Sequence, residues 1–274
     1  MGGAAAAPDR ARQTGQLMAV LQDLLAALRE RRIEVVDLTA PLHPGTPVLQ
    51  LPPPFANTIP FSLSEISRYD ERGPAWYWND IHTGEHTGTH FDAPVHWVTG
   101  REGEDVSQVP AHKLVAPAVV LDFSARAAAD PDFLLEVEHV QAWTAEHGPL
   151  PDGGWLLYRT GWDARAEDAA AFLNADETGP HTPGMSVACA RWLAEETALL
   201  GVGVETVGTD AGAAHGFEPP FPCHSFLLGA GKYGLTQLQN LATLPPTGAV
   251  LVAGPLPIVT GSGSPARVLA LVER

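Results

Sequence analysis

The chain has 274 residues, 45% of them hydrophobic, and it carries 32 acidic against 16 basic side chains, which gives a formal net charge of −16 at pH 7. This length suits one domain with a substantial buried core. A surface with this much negative charge repels a phosphate backbone and an anionic membrane, so binding to nucleic acid or to a membrane is not expected.

Cysteine usage and hydropathy indicate the compartment. The two cysteines, Cys189 and Cys223, are far apart and predict neither a disulfide framework nor a thiolate metal site, so a reducing environment is expected. No window approaches the roughly 20 consecutive apolar residues of a membrane span, and the N-terminus lacks the pattern of an ordinary signal peptide. These features predict a cytoplasmic protein.

The N-terminal segment divides into a leader and a helix. Residues 1–14 are small and polar and predict a flexible leader, and residues 15–274 are predicted to form a single domain. From Gln16 onward, leucines recur at positions 17, 21, 24 and 28 with the spacing of an amphipathic helix. This apolar stripe must pack either on its own domain or on a partner subunit.

The rest of the chain predicts many strands with a few helices between them. Apolar runs favour strands at residues 33–38, 61–66, 116–123, 154–162, 199–210, 248–259 and 266–273. Helical patterns fall at residues 135–147 and 185–197, and Ser186 is the expected cap of the second. This order predicts one α/β or α+β domain with a mixed sheet.

A stretch rich in metal-binding side chains follows, "EHTGTHFDAPVH" at residues 85–96. Its glycines, its threonines and Pro94 argue against a helix. In an extended chain, four donors share one face, namely His86, His90, Asp92 and His96. A straight strand separates residues four apart by roughly 13 Å, whereas ligands of one metal lie about 3–4 Å apart, so the chain must bend. Gly88 is the residue that permits the bend.

The chemistry of these donors favours a metal with an open coordination position. Imidazoles with a carboxylate and no thiolate suit Zn(II), Mn(II) or Fe(II). Such a metal polarises a carbonyl and generates hydroxide, and a nearby histidine can move the proton. The alternative is that the histidines cap turns or pair with surface acids, but so dense a cluster favours the metal site.

The same residues carry a family resemblance. "HTGTHFDAP" with His96 resembles the H-x-G-T-H-x-D-x-P-x-H signature of the cyclase superfamily of metal-dependent amide and lactone hydrolases. The resemblance implies that His86, His90 and Asp92 bind the metal and that His96 is the base. It also implies a swivelling β/β/α fold, which is an α/β domain with a barrel-like mixed sheet and peripheral helices, assembled as a homodimer or larger oligomer.

A second segment, residues 222–249, distinguishes branches of that superfamily. In the kynurenine formamidase branch, a histidine and a glutamate here bind a second metal, but Thr236 stands at the glutamate position. "TQLQNL" instead resembles the isatin hydrolase branch. That resemblance implies one divalent metal per subunit, with Mn(II) favoured and Zn(II) as the alternative. It implies Gln237 as a further ligand, although Thr236 and Gln239 lie within the error of the alignment.

Other residues are candidates for contact with a small-molecule substrate. We expect His224 to face the site, aromatic side chains to enclose a planar ring, and a hydroxyl of the "GSGSPARVLAL" ending to assist proton movement, as the resemblance implies. The predicted substrate contacts are His224, Trp78, Trp97, Phe61 and Ser264. Ser262 is the alternative to Ser264, and the aromatic residues could equally belong to the core. Glu205 and Asp210 are expected to make structural hydrogen bonds.

Together these patterns predict a metal-dependent amidohydrolase. The resemblance implies that it opens a cyclic amide such as the isatin lactam, with His96 removing a proton from the attacking water. The alternatives are hydrolysis of an arylformamide such as N-formylkynurenine, hydrolysis of a lactone, or metal binding without catalysis. A binding protein needs ligands but no spare base, so His96 favours an enzyme.

Overall fold

The structure, a computed structural model, describes the backbone of residues 10–274 and the side chains of residues 19–274. Residues 1–9 of the predicted leader lie outside the described residues, and residues 10–14 open the first helix, which begins before the predicted Gln16. The helices are α1 Arg10–Arg29, α2 Ser124–Ala129, α3 Val137–His147, α4 Ala169–Leu173 and α5 Val187–Glu195.

The strands of the described chain are short, and most of them follow the predicted apolar runs. In chain order they are β1 Ile33–Asp37, β2 Ser62–Arg68, β3 Tyr77–His82, β4 His90–Asp92, β5 Val115–Asp122, β6 Leu134–Leu135, β7 Trp155–Arg159, β8 Ala175–Asp176, β9 Gly179–Pro180, β10 Gly184–Met185, β11 Gly201–Val204, β12 Tyr233–Thr236, β13 Ala249–Pro255 and β14 Gly263–Glu273. The mixed α/β class and the single barrel-like sheet predicted from the resemblance are confirmed.

Seven of these strands close into a barrel-like mixed sheet. The order is β14, β13, β5, β7, β11, β12 and β4, and β4 pairs back onto β14, while β1 lies at the outer edge of β14. Strands β5, β7, β11 and β12 run parallel, and the remaining pairs are antiparallel. Closure leaves β4 hydrogen-bonded on both sides, which removes a free edge at this point.

Two apolar clusters lie on the two faces of the sheet. One contains Phe91, whose ring centroid is 5.1 Å from that of Tyr233 and 6.2 Å from that of Trp155. The other contains residues of α3 and α5 packed on β7. The predicted cap of α5 is confirmed, because the Ser186 Oγ accepts a hydrogen bond of 3.1 Å from the Cys189 N–H.

An antiparallel hairpin of β2 and β3, which we call the arm, forms a sheet of its own. Leu63 stands opposite Ile81, and these side chains are 52% and 67% exposed. Trp76 and Trp78 are also exposed. Helix α1 resembles the arm in this respect, since Leu21 and Leu25 are exposed. None of the described helices has the length and hydropathy needed to cross a membrane.

Candidate metal centre

The donor-rich stretch is positioned by the shortest strand of the barrel. Asp92 of β4 stands opposite Gly234 of β12 on one side and opposite Gly263 of β14 on the other. The predicted bend is confirmed, because Gly88 has φ +63°, a conformation in which a β-carbon would be strained. The bend brings His86 back toward β4.

Gly263 lets the imidazole of His86 approach the sheet closely. A β-carbon at this position would lie 2.6 Å from His86 Cε1 and 2.4 Å from the backbone oxygen of Phe91. Real side chains do not tolerate such distances, and the Phe91 oxygen belongs to a strand paired on both sides. A glycine is therefore required where β14 passes the site.

Three predicted donors converge on one small volume. One ligand atom each of His86, Asp92 and His96 lies within 4.8 Å of the other two. The Nδ1 atom of His86 is 2.8 Å from Asp92 Oδ1, and the rings of His86 and His96 stack with centroids 3.7 Å apart. His96 ends a 3-10 turn that begins at Pro94, so the proline lies where the sequence predicts a stiffened segment.

His90 lies on the other side of the same carboxylate. Its Nε2 atom is 3.4 Å from Asp92 Oδ1, and its Nδ1 atom is 2.7 Å from the backbone oxygen of Gly88 and 2.8 Å from Thr236 Oγ1. Both His90 and His96 thus lie near Asp92. The assignment of His90 as a ligand and His96 as the base stays a prediction.

Burial and neighbouring charges leave the Asp92 carboxyl ionised and the His96 imidazole neutral. Burial alone would raise the pKa of the Asp92 carboxyl, but the charge of His90 and the hydrogen bond from His86 hold that pKa well below its usual range. Burial lowers the pKa of His96 to about 3, with the neighbouring imidazoles adding to the effect and Asp92 opposing it. The site therefore combines an ionised carboxylate with a neutral imidazole that can accept a proton.

His224 and Trp97 form one wall beside His96. His224 belongs to a π-helical turn, Cys223–Leu228, and its ring centroid is 5.4 Å from that of His96 and 4.8 Å from that of Trp97. The indole N–H of Trp97 donates to Ser225 Oγ at 3.2 Å. The structure therefore brings His224 and Trp97 to the site, where the sequence predicted them.

Two of the predicted residues make their polar contacts elsewhere. The side-chain amide of Gln237 donates to the backbone oxygen of Pro47 at 3.3 Å, and Thr236 is the residue of this segment that contacts His90. The Ser264 Oγ donates to the Pro265 backbone oxygen at 2.7 Å and accepts from the Leu256 N–H at 3.0 Å. In the described structure, neither the Gln237 side chain nor the Ser264 side chain forms a hydrogen bond to His86 or Asp92.

The two remaining aromatic predictions separate in the structure. Phe61 is buried just before the arm, whereas Trp78 lies within the arm and is 54% exposed. Among the described residues, no ring contact joins either side chain to the donor group. Phe61 is buried but belongs to neither apolar cluster of the sheet, and the exposed Trp78 makes no ring contact with the described donors.

Ser262 and Glu85 lie next to His86. The sequence predicted Ser262 only as the alternative to Ser264 and did not predict Glu85. The Ser262 Oγ is 2.8 Å from His86 Nε2 and donates to Glu85 Oε2, which also accepts the Ser262 N–H at 3.1 Å. The "GSGSP" motif contains both Ser262 and Ser264. Which of them reaches His86 depends on the register of β14 against β4, which the motif does not encode. Glu85 opens the donor-rich stretch and carries no local signal of its role.

The donor set fits a divalent cation. Imidazole nitrogens and an ionised carboxylate surround one volume, and no thiolate takes part. Cys223 is buried, and burial together with the Asp210 charge raises the pKa of its thiol well above the usual range, so it is not a nucleophile. Among the described residues, this is the group of histidine, cysteine and acidic side chains with metal-binding geometry.

The structure thus has a closed mixed barrel with a His/Asp donor group on and beside its shortest strand. The Cyclase family model matches residues 36–211, and the chain belongs to this family.

Individual relatives are similar over nearly the whole chain. The isatin hydrolase of Roseibium aggregatum is 50% identical over 257 residues, which cover 93% of this chain and 97% of the relative. The crystal structure of an isatin hydrolase bound to the product analogue thioisatinate has a TM-score of 0.92 at 49% identity, covering 94% of this chain and 99% of the other. The kynurenine formamidase of Salinibacter ruber is 30% identical over 190 residues, which cover 67% of this chain and 74% of the relative.

Proposed function

We propose that this protein is an isatin hydrolase, an enzyme that adds water to a cyclic amide and opens it to a carboxylate. The observation that carries the proposal is the neutral, half-buried His96 stacked on His86 beside an ionised Asp92. Identity of 50% to an isatin hydrolase across 93% of the chain supports the choice of substrate.

The proposed cofactor is one divalent ion per subunit, with Mn(II) favoured and Zn(II) as the second candidate. The predicted ligands are His86, His90 and Asp92, and Gln237 as a fourth ligand stays a prediction. When bound, such an ion supplies Lewis acidity toward the amide carbonyl and lowers the pKa of water. Imidazole and carboxylate ligands suit both metals.

The side chains of this protein supply proton transfer. His96 is neutral, so it can accept the proton of the attacking water. The Nδ1 atom of His86 and the Oδ1 atom of Asp92 lie 2.8 Å apart, so the two predicted ligands face the same volume. Ser262 Oγ lies 2.8 Å from the other nitrogen of His86 and donates to the half-buried Glu85, so this pair holds the His86 ring in place.

The wall beside His96 suits a planar aromatic substrate. Trp97 presents an indole face next to His224, and the Phe221 ring lies edge-on to Trp97 with centroids 5.6 Å apart. Phe221 has φ +52°, a strained conformation for a bulky residue that is found mostly where function requires it. We assign these three residues to substrate binding.

Assembly and compartment are part of the proposal. A two-stranded hairpin is marginally stable alone, and both faces of the arm are mostly exposed in one chain. Its exposed aromatic and aliphatic side chains offer on the order of 500 Å², a large part of the ~800 Å² that each partner of a standard interface buries. A second copy of this chain is the proposed occupant, and the two buried free cysteines support a cytoplasmic location.

Hydrolysis of an arylformamide or a lactone is the second candidate activity, supported by 30% identity to a kynurenine formamidase. Thr236 stands where that branch is expected to have a glutamate, and its hydroxyl contacts His90. A hydroxyl supplies no negative charge for a second divalent ion, so the single-metal activity is preferred.

The test is hydrolysis of isatin and of N-formylkynurenine by the Mn(II)-loaded protein and by His96→Ala. We expect isatin to be opened, and we expect His96→Ala to lower kcat by about 10²- to 10⁴-fold at unchanged metal content. The exposed His112→Ala is the matched control and should keep full activity.

His90→Ala serves as the reciprocal variant, and it should lose metal. If His96→Ala loses metal and His90→Ala keeps it, the two roles are exchanged. Equal kcat in wild type and His96→Ala at equal metal content would overturn the mechanism. A wild type that binds metal but opens neither substrate would favour a binding protein.

A further inference from the structure

Asp210 follows strand β11, and both of its carboxylate oxygens accept hydrogen bonds from the turn that carries His224. Its Oδ1 atom accepts the Cys223 N–H at 2.7 Å, and its Oδ2 atom accepts the His224 N–H at 3.2 Å. The same Oδ2 lies 2.5 Å from His224 Nδ1, so the ring donates to it. The side chain of Asp210 is 5% exposed and that of His224 is 13% exposed, so water competes little for these bonds.

This arrangement distinguishes the two nitrogens of the ring. The carboxylate keeps the proton on Nδ1, since an unprotonated Nδ1 would place two acceptors against each other at 2.5 Å. The Thr209 hydroxyl is the other neighbour of Nδ1, at 3.5 Å. Nε2 has no hydrogen-bond partner among the residues that the structure describes, and the ring lies against His96 and Trp97. Nε2 is therefore the polar atom that His224 offers to the site.

We infer that Asp210 is a positioning residue for the hydrolase reaction. It acts through His224, because it fixes the orientation of the ring and leaves Nε2 as the atom that meets the substrate. A carboxylate that holds the distal nitrogen of a functional histidine is a recurring device of this kind. The inference rests on the proposed function for its kinetic consequence, whereas the position of the ring proton does not depend on the substrate.

Glu205, which directly follows β11, provides a matched control for the substitution of Asp210. It is also a buried carboxylate after β11, and it accepts hydrogen bonds from Thr160 N–H, Thr160 Oγ1 and Trp162 N–H. All three bonds end on Oε2, and Oε1 has no partner. Glu205→Gln can therefore keep every bond through its single carbonyl oxygen. Asp210→Asn cannot, because both oxygens of Asp210 accept N–H groups.

The kinetic test compares Asp210→Asn, Glu205→Gln, His224→Ala and the double variant Asp210→Asn/His224→Ala on isatin, with Mn(II) loading and thermal unfolding measured for each. We expect Asp210→Asn to lower kcat by about 10- to 100-fold at unchanged metal content. Glu205→Gln should keep its kcat. In the His224→Ala background, Asp210→Asn should cause no further loss, because the residue through which it acts is gone.

A spectroscopic measurement on the wild type tests the inference without relying on a variant that folds. In the diamagnetic Zn(II)-loaded protein labelled with ¹⁵N-histidine, the His224 Nδ1 resonance should be that of a protonated nitrogen. A deprotonated Nδ1 would overturn the inference, as would full additivity of the two substitutions or equal losses in Asp210→Asn and Glu205→Gln. If the wild type opens no isatin, the proposed function fails, and the Nδ1 resonance still decides the ring position.

Discussion

At the scale of residues, Asp92 shows how the site keeps a negative charge in place. The side chain is 2% exposed, and burial of an unpaired carboxylate costs several kcal/mol. His86 and His90 offset that cost with a hydrogen bond and with charge, and the pKa of Asp92 stays low. A carboxylate that is ionised and already oriented needs little rearrangement when a cation enters.

Gly263→Ala tests the close approach of β14 to His86. A β-carbon 2.4 Å from the Phe91 oxygen forces the strand to move, which we expect to cost about 1–3 kcal/mol of unfolding free energy. His86 must shift with it, so metal affinity should fall about 10-fold or more. The measurements are urea denaturation and metal titration. Gly216→Ala, with open space around its β-carbon, should change neither quantity, and full metal affinity in Gly263→Ala would contradict the packing argument.

The local donors could be predicted from the sequence, whereas their distant neighbours could not. The shared face and the bend at Gly88 need only residues 85–96. Contact between Ser262 and His86 spans 176 positions and follows from the register of β14 against β4. The same holds for Thr236, which meets His90 because β12 pairs with β4 in a register that places these two residues opposite each other. No periodicity within a short window encodes such a register.

At the scale of elements, the small hairpin of β8 and β9 is tethered through a histidine. His181 Nδ1 lies 2.8 Å from Asp132 Oδ2, and its Nε2 lies 3.3 Å from Asp176 Oδ1. Hydrogen bonds to Asp132 and Asp176 raise the pKa of His181. The Asp176 carboxyl, with bonds from Thr178 first and His181 second, has a pKa of about 2.

This tether should make the hairpin sensitive to pH. A raised pKa means that the contribution of His181 is complete below its unfolded pKa near 6.5 and is lost as the pH rises through the folded value. We expect amide exchange at residues 174–181, corrected for intrinsic rates, to be faster at pH 8.5 than at pH 5.5. His181→Asn should remove that difference, and His112→Asn should preserve it. Equal corrected exchange at both pH values in the wild type would disprove the tether.

Elements with strong periodicity were predicted within a few residues, and the shortest ones were missed. Helix α5 was expected at residues 185–197 and spans Val187–Glu195. Strands β6, β8, β9 and β10 have two residues each, too few to show any period. Such elements form because neighbouring segments hold them, as β10 pairs with β6 in parallel.

At the scale of the whole molecule, closure of the barrel was accessible only through the family resemblance. Composition and apolar runs predict a mixed sheet, but the strand order joins β4 to β12 and β14, which are remote in the chain. Of the arm, the sequence predicted the strand at residues 61–66, without any sign that it leaves the barrel. Its exposed apolar side chains distinguish it from a surface strand that packs one face on a core.

Oligomeric state is the prediction that belongs to this scale. We expect a homodimer by light scattering coupled to gel filtration, because burial of the arm removes its apolar side chains from water. Leu63→Asp/Ile81→Asp places charges on that surface and should give a monomer. Val115→Asp, at an exposed apolar position of β5, is the control and should stay dimeric. A monomeric wild type, or a dimeric double variant, would refute the role of the arm.

The pairing of β4 on both sides has a consequence for biosynthesis. Synthesis runs from the N-terminus, so His90 and Asp92 leave the ribosome long before their partners at residues 233–236 and 263–265. Until β14 arrives, β4 can pair only with β12, and its second side has no partner strand. The catalytic centre is thus among the last parts of the protein to be completed, and a chain stalled before Gly263 would contain every predicted ligand but lack the strand that pairs with the second side of β4.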